Sequence, residues 1–130
     1  MINNIPRKYT QQMLKEEIDA TNKGTYDFLF LSFDSRRNRN VGYAFVNFIN
    51  VGSVITFAKN RIGKRWNRFN SEDRCSIEYG NTQGTVALVR KYKDERVVGE
   101  DHGPKLYITS GRHIGEEEPF PFPVTMFMLF

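Results

Sequence analysis

One stretch of sequence decides the fold: Val41-Gly42-Tyr43-Ala44-Phe45-Val46-Asn47-Phe48. Side chains of a β-strand point alternately to the two faces of a sheet, so every second residue from Ala44 to Phe48 is predicted to face a core of helices. Tyr43, Phe45 and Asn47 then face the opposite side. Two exposed aromatic rings are costly in water, and a flat ring is also what an unstacked base needs. The stretch therefore predicts either a base-stacking platform or a face covered by the C-terminal part of the chain.

The elements around this strand follow from apolar periodicity and from turn residues. Six are predicted: a strand over 1–5 closed by Pro6, a helix between Thr10 and Gly24, a strand from Tyr26 to Asp34, the strand from Val41 to Phe48, a helix from about Ser53 to Ile62 and a strand from Cys75 to Tyr79. This order predicts an α+β fold of the ferredoxin-like βαββαβ type, with a four-stranded antiparallel sheet and both helices on one face. The other face of the sheet is left open.

The sequence also predicts the inner face of the last strand and the structure of the chain that follows it. In the strand Cys75 to Tyr79, alternation predicts an inner face of Cys75, Ile77 and Tyr79. Apolar residues at helical spacing from Thr85 to Lys93 predict an appended helix that could lean on the open face. Residues 105–109 could add a short strand, whereas 115–123 are too acidic and proline-rich for regular structure. We therefore expect a folded unit with the appended helix over 1–93 and an acidic, proline-containing C-terminal extension over 94–130.

Charge is distributed unevenly along the chain. Residues 1–93 carry 16 Lys/Arg and 8 Asp/Glu, a net +8, and residues 94–130 carry 3 and 7, a net −4. A basic body suits a polyanionic partner. The three arginines of the turn between the central strands, Arg36, Arg37 and Arg39, form the densest cationic spot.

Several classes of function find no residues to support them. Cys75 is the single cysteine and His102 and His113 have no ligands at metal spacing, so no metal or other cofactor is predicted. No phosphate loop, nucleophile elbow or paired carboxylates occur, so the chain is not predicted to be an enzyme. No signal peptide or membrane helix is apparent, which predicts an intracellular protein, nuclear or cytoplasmic or both.

The apolar residues 124–130 are expected to pack on the body or to bind a protein partner or a second copy.

The eight residues from Val41 to Phe48, which we call the octamer, resemble the longer ribonucleoprotein signature of RNA recognition motifs and agree with it at seven of eight positions. The exception is Val41, where the family usually has a cation that reaches a phosphate. We expect Arg36, Arg37 or Arg39 to replace this cation. The resemblance implies an RNA recognition motif over 1–93 and single-stranded RNA as its partner.

The resemblance narrows to the carboxy-terminal RNA recognition motif of the Mei-two-like meiosis regulators, of the fungal type. It rests on Asn4-Ile5-Pro6, the run from Lys23 to Leu29, the run from Asn40 to Phe45, Gln83-Gly84 and the segment 115–121. It implies post-transcriptional control of meiosis or differentiation. Members of this family are long chains with further motifs upstream, so we expect the 130 residues to be either a fragment or a reduced relative. The start of the sequence inside the first predicted strand favours a fragment.

Site roles implied by the resemblance fall into three groups. Phe45 and Tyr43 should stack bases, with Met1 at the position of a further stacker. Base edges should be read by Asn3, Asn47 and Glu78. Phosphates could be tracked by Lys64, Arg65 and Arg68, which otherwise form a solvated basic edge. Phe30 either extends the platform or simply packs against Phe45. The alternative function is a protein-interaction RNA recognition motif whose sheet face is capped by the C-terminal extension.

Overall fold

The computed structural model describes residues 1–93 and 102–119, which form one antiparallel sheet and three helices. The elements in chain order are β1 Ile2–Asn3, α1 Gln11–Asn22, β2 Tyr26–Asp34, β3 Arg39–Phe48, α2 Val51–Arg61, β4 Ser76–Ile77, α3 Thr85–Tyr92, β5 Lys105–Tyr107 and β6 Glu117–Glu118. The strand order across the sheet is β4-β1-β3-β2-β5-β6. The predicted ferredoxin-like βαββαβ order is confirmed, and two strands are added at the β2 edge.

Strand β2 supplies apolar side chains to both faces of the sheet. Leu29 and Leu31 are buried on the side of α1 and α2, where they join one core cluster with Ala44 of β3. Phe28 and Phe30 belong to a different cluster on the opposite side. The alternation that the sequence predicts for this strand is therefore confirmed.

The two helices of the main core begin at side-chain caps. The Thr10 Oγ1 accepts a hydrogen bond from the Met13 N–H at 3.1 Å, as expected for the N-cap of α1. Helix α2 begins at Val51, two residues before the prediction, because the Asn50 Oδ1 accepts from the Ser53 N–H at 2.8 Å. An asparagine cap is a local signal that the apolar periodicity alone does not contain.

Strand β4 differs from its prediction. It covers only Ser76–Ile77, and Tyr79, expected on the inner face, is 88% exposed. Glu78 is joined to Met1 by two hydrogen bonds, from its own N–H to the Met1 carbonyl at 3.0 Å and from the Met1 amino group to its own carbonyl at 2.7 Å. Beyond Glu78 the chain leaves the sheet, so strand alternation no longer determines where Tyr79 points.

The C-terminal extension contributes to the sheet. Strand β5 pairs with β2, and β6 pairs with β5. The expectation that 115–123 lacks regular structure is therefore wrong at Glu117 and Glu118, since the open edge of β5 offers backbone partners and Lys105 pairs with Glu117 at 3.4 Å. The sheet has six strands in the described residues: the four predicted strands, β5 within the short strand expected over 105–109, and β6, which was not predicted. The apolar segment 124–130 lies outside the described residues.

Candidate nucleic-acid interface

The open face of β3 presents Tyr43 and Phe45 side by side. Their rings meet edge to face, with centroids 5.8 Å apart. Tyr43 is 38% exposed, and Phe45 is half-buried. Their opposite neighbours Ala44, Val46 and Phe48 contact the core below, so the sheet holds the two rings on the outer face. Tyr43 is therefore a ring that a planar ligand can reach.

Helix α3 covers the other part of this face. Leu88 of α3 is buried against Phe28, Phe30 and Leu106, in what we call the second apolar cluster. The sequence prediction that α3 leans on the open face is confirmed. The ring of Tyr92 stacks on Phe45, with centroids 5.0 Å apart and an angle of 27° between the planes. One aromatic side chain of the protein thus occupies the stacking surface of Phe45.

The N-terminal end of α3 is fixed by a polar triangle of Asn47, Asp27 and Thr85. The Asn47 Nδ2 donates to the Asp27 Oδ1 at 2.9 Å and to the Thr85 Oγ1 at 3.0 Å. The Thr85 hydroxyl donates to the Asp27 Oδ2 at 2.6 Å. Asn47 is predicted to read base edges, but in this arrangement its amide group holds α3 to the sheet.

Phe30 does not extend the platform in this arrangement. It is 4% exposed, lies opposite Phe45 in the strand register and has its ring centroid 5.1 Å from that of Tyr92. Of the two interpretations of Phe30, simple packing describes its position, because α3 lies over it.

A cleft of about 420 Å³ opens beside the two rings of β3. Its walls include Met1, Tyr43, Tyr79, Lys91 and Tyr92. A volume of this size is in the range of small-molecule sites and admits a planar ring. The sequence patterns did not predict Tyr79 and Lys91 as part of the site. Tyr79 follows a strand that is shorter than predicted, and the alternation of that longer predicted strand wrongly assigned its side chain to the core.

Asn3 and Glu78 flank Tyr43 as the resemblance implies. Asn3 is the register partner of Tyr43, and its Nδ2 donates to the Glu78 Oε1 at 3.4 Å. This bond is long and exposed, so both groups keep hydrogen-bonding capacity for a ligand.

The predicted cations are arranged in two separate groups. Arg36 and Arg37 lie in the exposed turn before β3, where the Asp34 Oδ1 accepts from their backbone N–H groups at 3.0 and 3.4 Å. Arg39, the first residue of β3, is also exposed. The Arg37 Nε lies 3.8 Å from the Asp34 Oδ2, so part of its charge is compensated.

The second group lies after α2. Arg68 pairs with Glu16 of α1 at 3.1 Å, and Arg65 pairs with Glu72 at 3.3 Å. Lys64 is exposed beside them. The structure thus brings Arg68 next to α1, on the helix side of the sheet, and does not bring it to Tyr43.

One cation near Tyr43 was not predicted. The guanidinium of Arg7 lies directly over Gly42, the residue before Tyr43 in β3, so that a Cβ atom on Gly42 would come 1.7 Å from the Arg7 Nη1. Gly42 has a φ of +99°, which glycine adopts without strain. No pattern in the sequence connects positions 7 and 42, since the contact depends on how the chain turns after β1.

The described residues offer neither a metal site nor a membrane-spanning helix. Residues 1–93 and 102–119 contain no group of three or more His, Cys, Asp or Glu side chains that could hold a metal ion. None of their helices is both long enough and apolar enough to cross a bilayer.

The family described as RNA recognition motif 2 matches residues 1–93. The chain belongs to this family. Meiosis protein mei2 of Schizosaccharomyces pombe is 52% identical over 125 residues, which are 95% of this chain and 17% of that protein. Protein MEI2-like 4 of Arabidopsis thaliana is 46% identical over 123 residues, 93% of this chain and 14% of that protein. The resemblance to Mei-two-like proteins is therefore confirmed, and the chain spans less than a fifth of the length of these relatives.

A solved structure supports the fold independently. The RNA recognition motif of Rna15, solved with bound RNA (GU), superposes with a TM-score of 0.55 and 18% identity, covering 69% of this chain and 89% of that chain. At this identity the likeness concerns the fold alone.

Proposed function

We propose that this RNA recognition motif binds single-stranded RNA on the open face of its sheet, with a base stacked on Tyr43. The observation that carries the proposal is the accessible ring of Tyr43 beside a cleft of about 420 Å³. Membership of the RNA recognition motif 2 family supports it. Stacking on one aromatic ring contributes about 1–3 kcal/mol per base. The proposal includes no reaction, and residues 1–93 are its binding unit.

Neighbouring side chains have complementary roles in this proposal. Asn3 and Glu78 offer an amide and a carboxylate to base edges beside Tyr43. Phe45 takes a second base when Tyr92 moves aside, and Tyr79 and Met1 border the cleft. The arginines of the turn before β3 attract the backbone of the strand.

The cellular role is also a proposal, because the chain spans 17% of its fungal relative. The names of the relatives, Meiosis protein mei2 and MEI2-like, support post-transcriptional control of meiosis or differentiation. Such control takes place in the nucleus, in the cytoplasm or in both.

Replacement of the accessible ring tests the proposal directly. Tyr43→Ala should weaken binding to a pool of single-stranded RNA oligonucleotides by about 1–3 kcal/mol, measured by fluorescence anisotropy. Phe69→Ala is a matched control, because Phe69 is an exposed aromatic residue that contacts Tyr9 rather than the open face. Circular dichroism should show that both variants fold. If folded Tyr43→Ala bound the pool as tightly as the parent, the stacking proposal would be wrong.

A second candidate function is binding of a protein partner. It is favoured by one observation, the stack of Tyr92 on Phe45, which covers part of the RNA-binding surface. Under this alternative α3 stays in place, and no RNA pool binds measurably either to the parent chain or to a variant without the Tyr92 ring.

A further inference from the structure

Arg7 occupies a space that exists only because residue 42 is glycine. The approach is close: a Cβ on Gly42 would lie 2.4 Å from the Arg7 Cζ as well as 1.7 Å from its Nη1. Any other residue at position 42 would displace the guanidinium. The absence of a side chain on Gly42 therefore lets the Arg7 guanidinium lie against β3, next to the residue that precedes Tyr43.

The guanidinium of Arg7 keeps most of its binding capacity. It is exposed, and its Nη1 donates to the Ile5 carbonyl at 3.1 Å. In the part of the chain that the structure describes, no carboxylate forms an ion pair with it, whereas Arg65 and Arg68 are paired with glutamates. A guanidinium has five N–H donors in a planar fork that suits phosphate oxygens.

Arg7 and Tyr43 line the same cleft, of about 510 Å³. Asn3 and the carboxylates of Asp73 and Glu78 also line it. Neither carboxylate is paired with Arg7, so the cation remains free for an anion while the acids can accept hydrogen bonds from base amino groups. A cleft that joins a cation, an aromatic ring and base-reading groups fits one nucleotide of an RNA strand.

We propose that Arg7 binds the backbone phosphate of the nucleotide whose base stacks on Tyr43. This inference rests on the proposed function and deepens it. Arg7 thereby supplies the positive charge that Val41 lacks at the first position of the octamer, from a different part of the chain. Arg36, Arg37 and Arg39 then contribute general attraction rather than this specific contact.

The test combines protein variants with altered RNA. Arg7→Ala should lower affinity for a single-stranded RNA about tenfold, as expected for a hydrogen-bonded charge pair. It should also reduce the slope of log affinity against log salt concentration by about 0.7, the value for one phosphate on a single strand. Lys8→Ala is the matched control, because it removes the same charge from the neighbouring exposed residue. Arg7→Lys should keep the salt slope and recover only part of the affinity, because the planar fork is lost.

A scan of the RNA with single neutral methylphosphonate linkages locates the phosphate. The parent should lose affinity most at one linkage, and Arg7→Ala should be insensitive at that linkage only. The inference is overturned if Arg7→Ala and Lys8→Ala have the same small effect, or if the variant retains the parent's sensitivity at every linkage. In either case, a loss of affinity in Tyr43→Ala would still support the proposed function. If neither Arg7→Ala nor Tyr43→Ala lowered RNA affinity, the proposed function would be wrong as well.

Discussion

Tyr92 of α3 stacks on Phe45 of β3 at a centroid distance of 5.0 Å, and so covers one of the two rings that the resemblance implies as base stackers. The same helix leaves Tyr43 exposed. The two aromatic residues of the strand are therefore unequal. A base reaches Tyr43 without any rearrangement, but reaches Phe45 only after Tyr92 has moved.

Removal of the Tyr92 ring should strengthen RNA binding. An aromatic pair is worth about 0.5–1.5 kcal/mol beyond its buried area, and RNA would no longer have to break it. Tyr92→Ala is therefore expected to raise affinity by that amount in a fluorescence anisotropy titration. Val86→Ala serves as control, since Val86 is an exposed residue of the same helix. A weaker binding of Tyr92→Ala would instead mean that Tyr92 itself contacts RNA.

The polar triangle of Asn47, Asp27 and Thr85 should control how easily α3 opens. Thr85→Val removes the hydroxyl that donates to Asp27 and should cost about 0.5–1.5 kcal/mol of local stability. Hydrogen exchange of the α3 amides should accelerate, while that of β2 and β3 stays unchanged. Thr56→Val, at an exposed position of α2, controls for the substitution. Equal exchange in both variants would argue against the triangle as an anchor.

Gln11 should be important for stability although it lies far from the candidate interface. It is buried, its Oε1 accepts from the Leu31 N–H at 2.8 Å, and its Nε2 donates to the Gly103 carbonyl at 2.9 Å. Gln11→Leu leaves both backbone groups unpaired and should lower the free energy of unfolding by about 1–3 kcal/mol. Gln12→Leu, on the exposed side of the same helix, should change it little. Urea unfolding of the two variants decides between these outcomes.

Stability should fall in alkaline solution. Burial raises the pKa of the Cys75 thiol to about 11, and burial followed by the hydrogen bond to Glu17 raises the pKa of Tyr9 to about 12. Burial likewise raises the pKa values of Tyr26 and Tyr107. The unfolded chain thus loses these protons first, between about pH 9 and 10, so rising pH favours unfolding.

Thermal unfolding at pH 7 and pH 10.5 measures this effect, with a lower midpoint expected at pH 10.5. The tyrosinate absorbance of the folded protein should also stay below that of the chain in urea at the same pH. An unfolding midpoint temperature at pH 10.5 as high as that at pH 7 would contradict the assignment of these groups as buried and neutral.

The fold could be predicted because its signals are local. Thr10 caps α1, and the alternation of β2 separates Leu29 and Leu31 from Phe28 and Phe30. These features depend on residues within a few positions of one another. The octamer likewise predicted the outward position of Tyr43.

The site could be predicted only in part, because the exposure and hydrogen bonding of its side chains depend on contacts between residues far apart in the sequence. Helical spacing predicted α3, but not that Tyr92 stacks on Phe45 or that Asn47 bonds to Thr85. Arg7 approaches Gly42 across 35 positions through a turn whose path no periodicity describes. Tyr79 was assigned to the wrong side because β4 ends two residues earlier.

Within residues 1–93 and 102–119, the outermost strand on the β2 side of the sheet is β6, whose two residues are Glu117 and Glu118. An outermost strand offers unpaired backbone groups to any other chain, and charged side chains discourage such an approach. A second molecule that added its own β6 here would bring carboxylates against carboxylates. Repulsion between the carboxylates of Glu117 and Glu118 in two molecules is therefore expected to disfavour edge-to-edge pairing at β6.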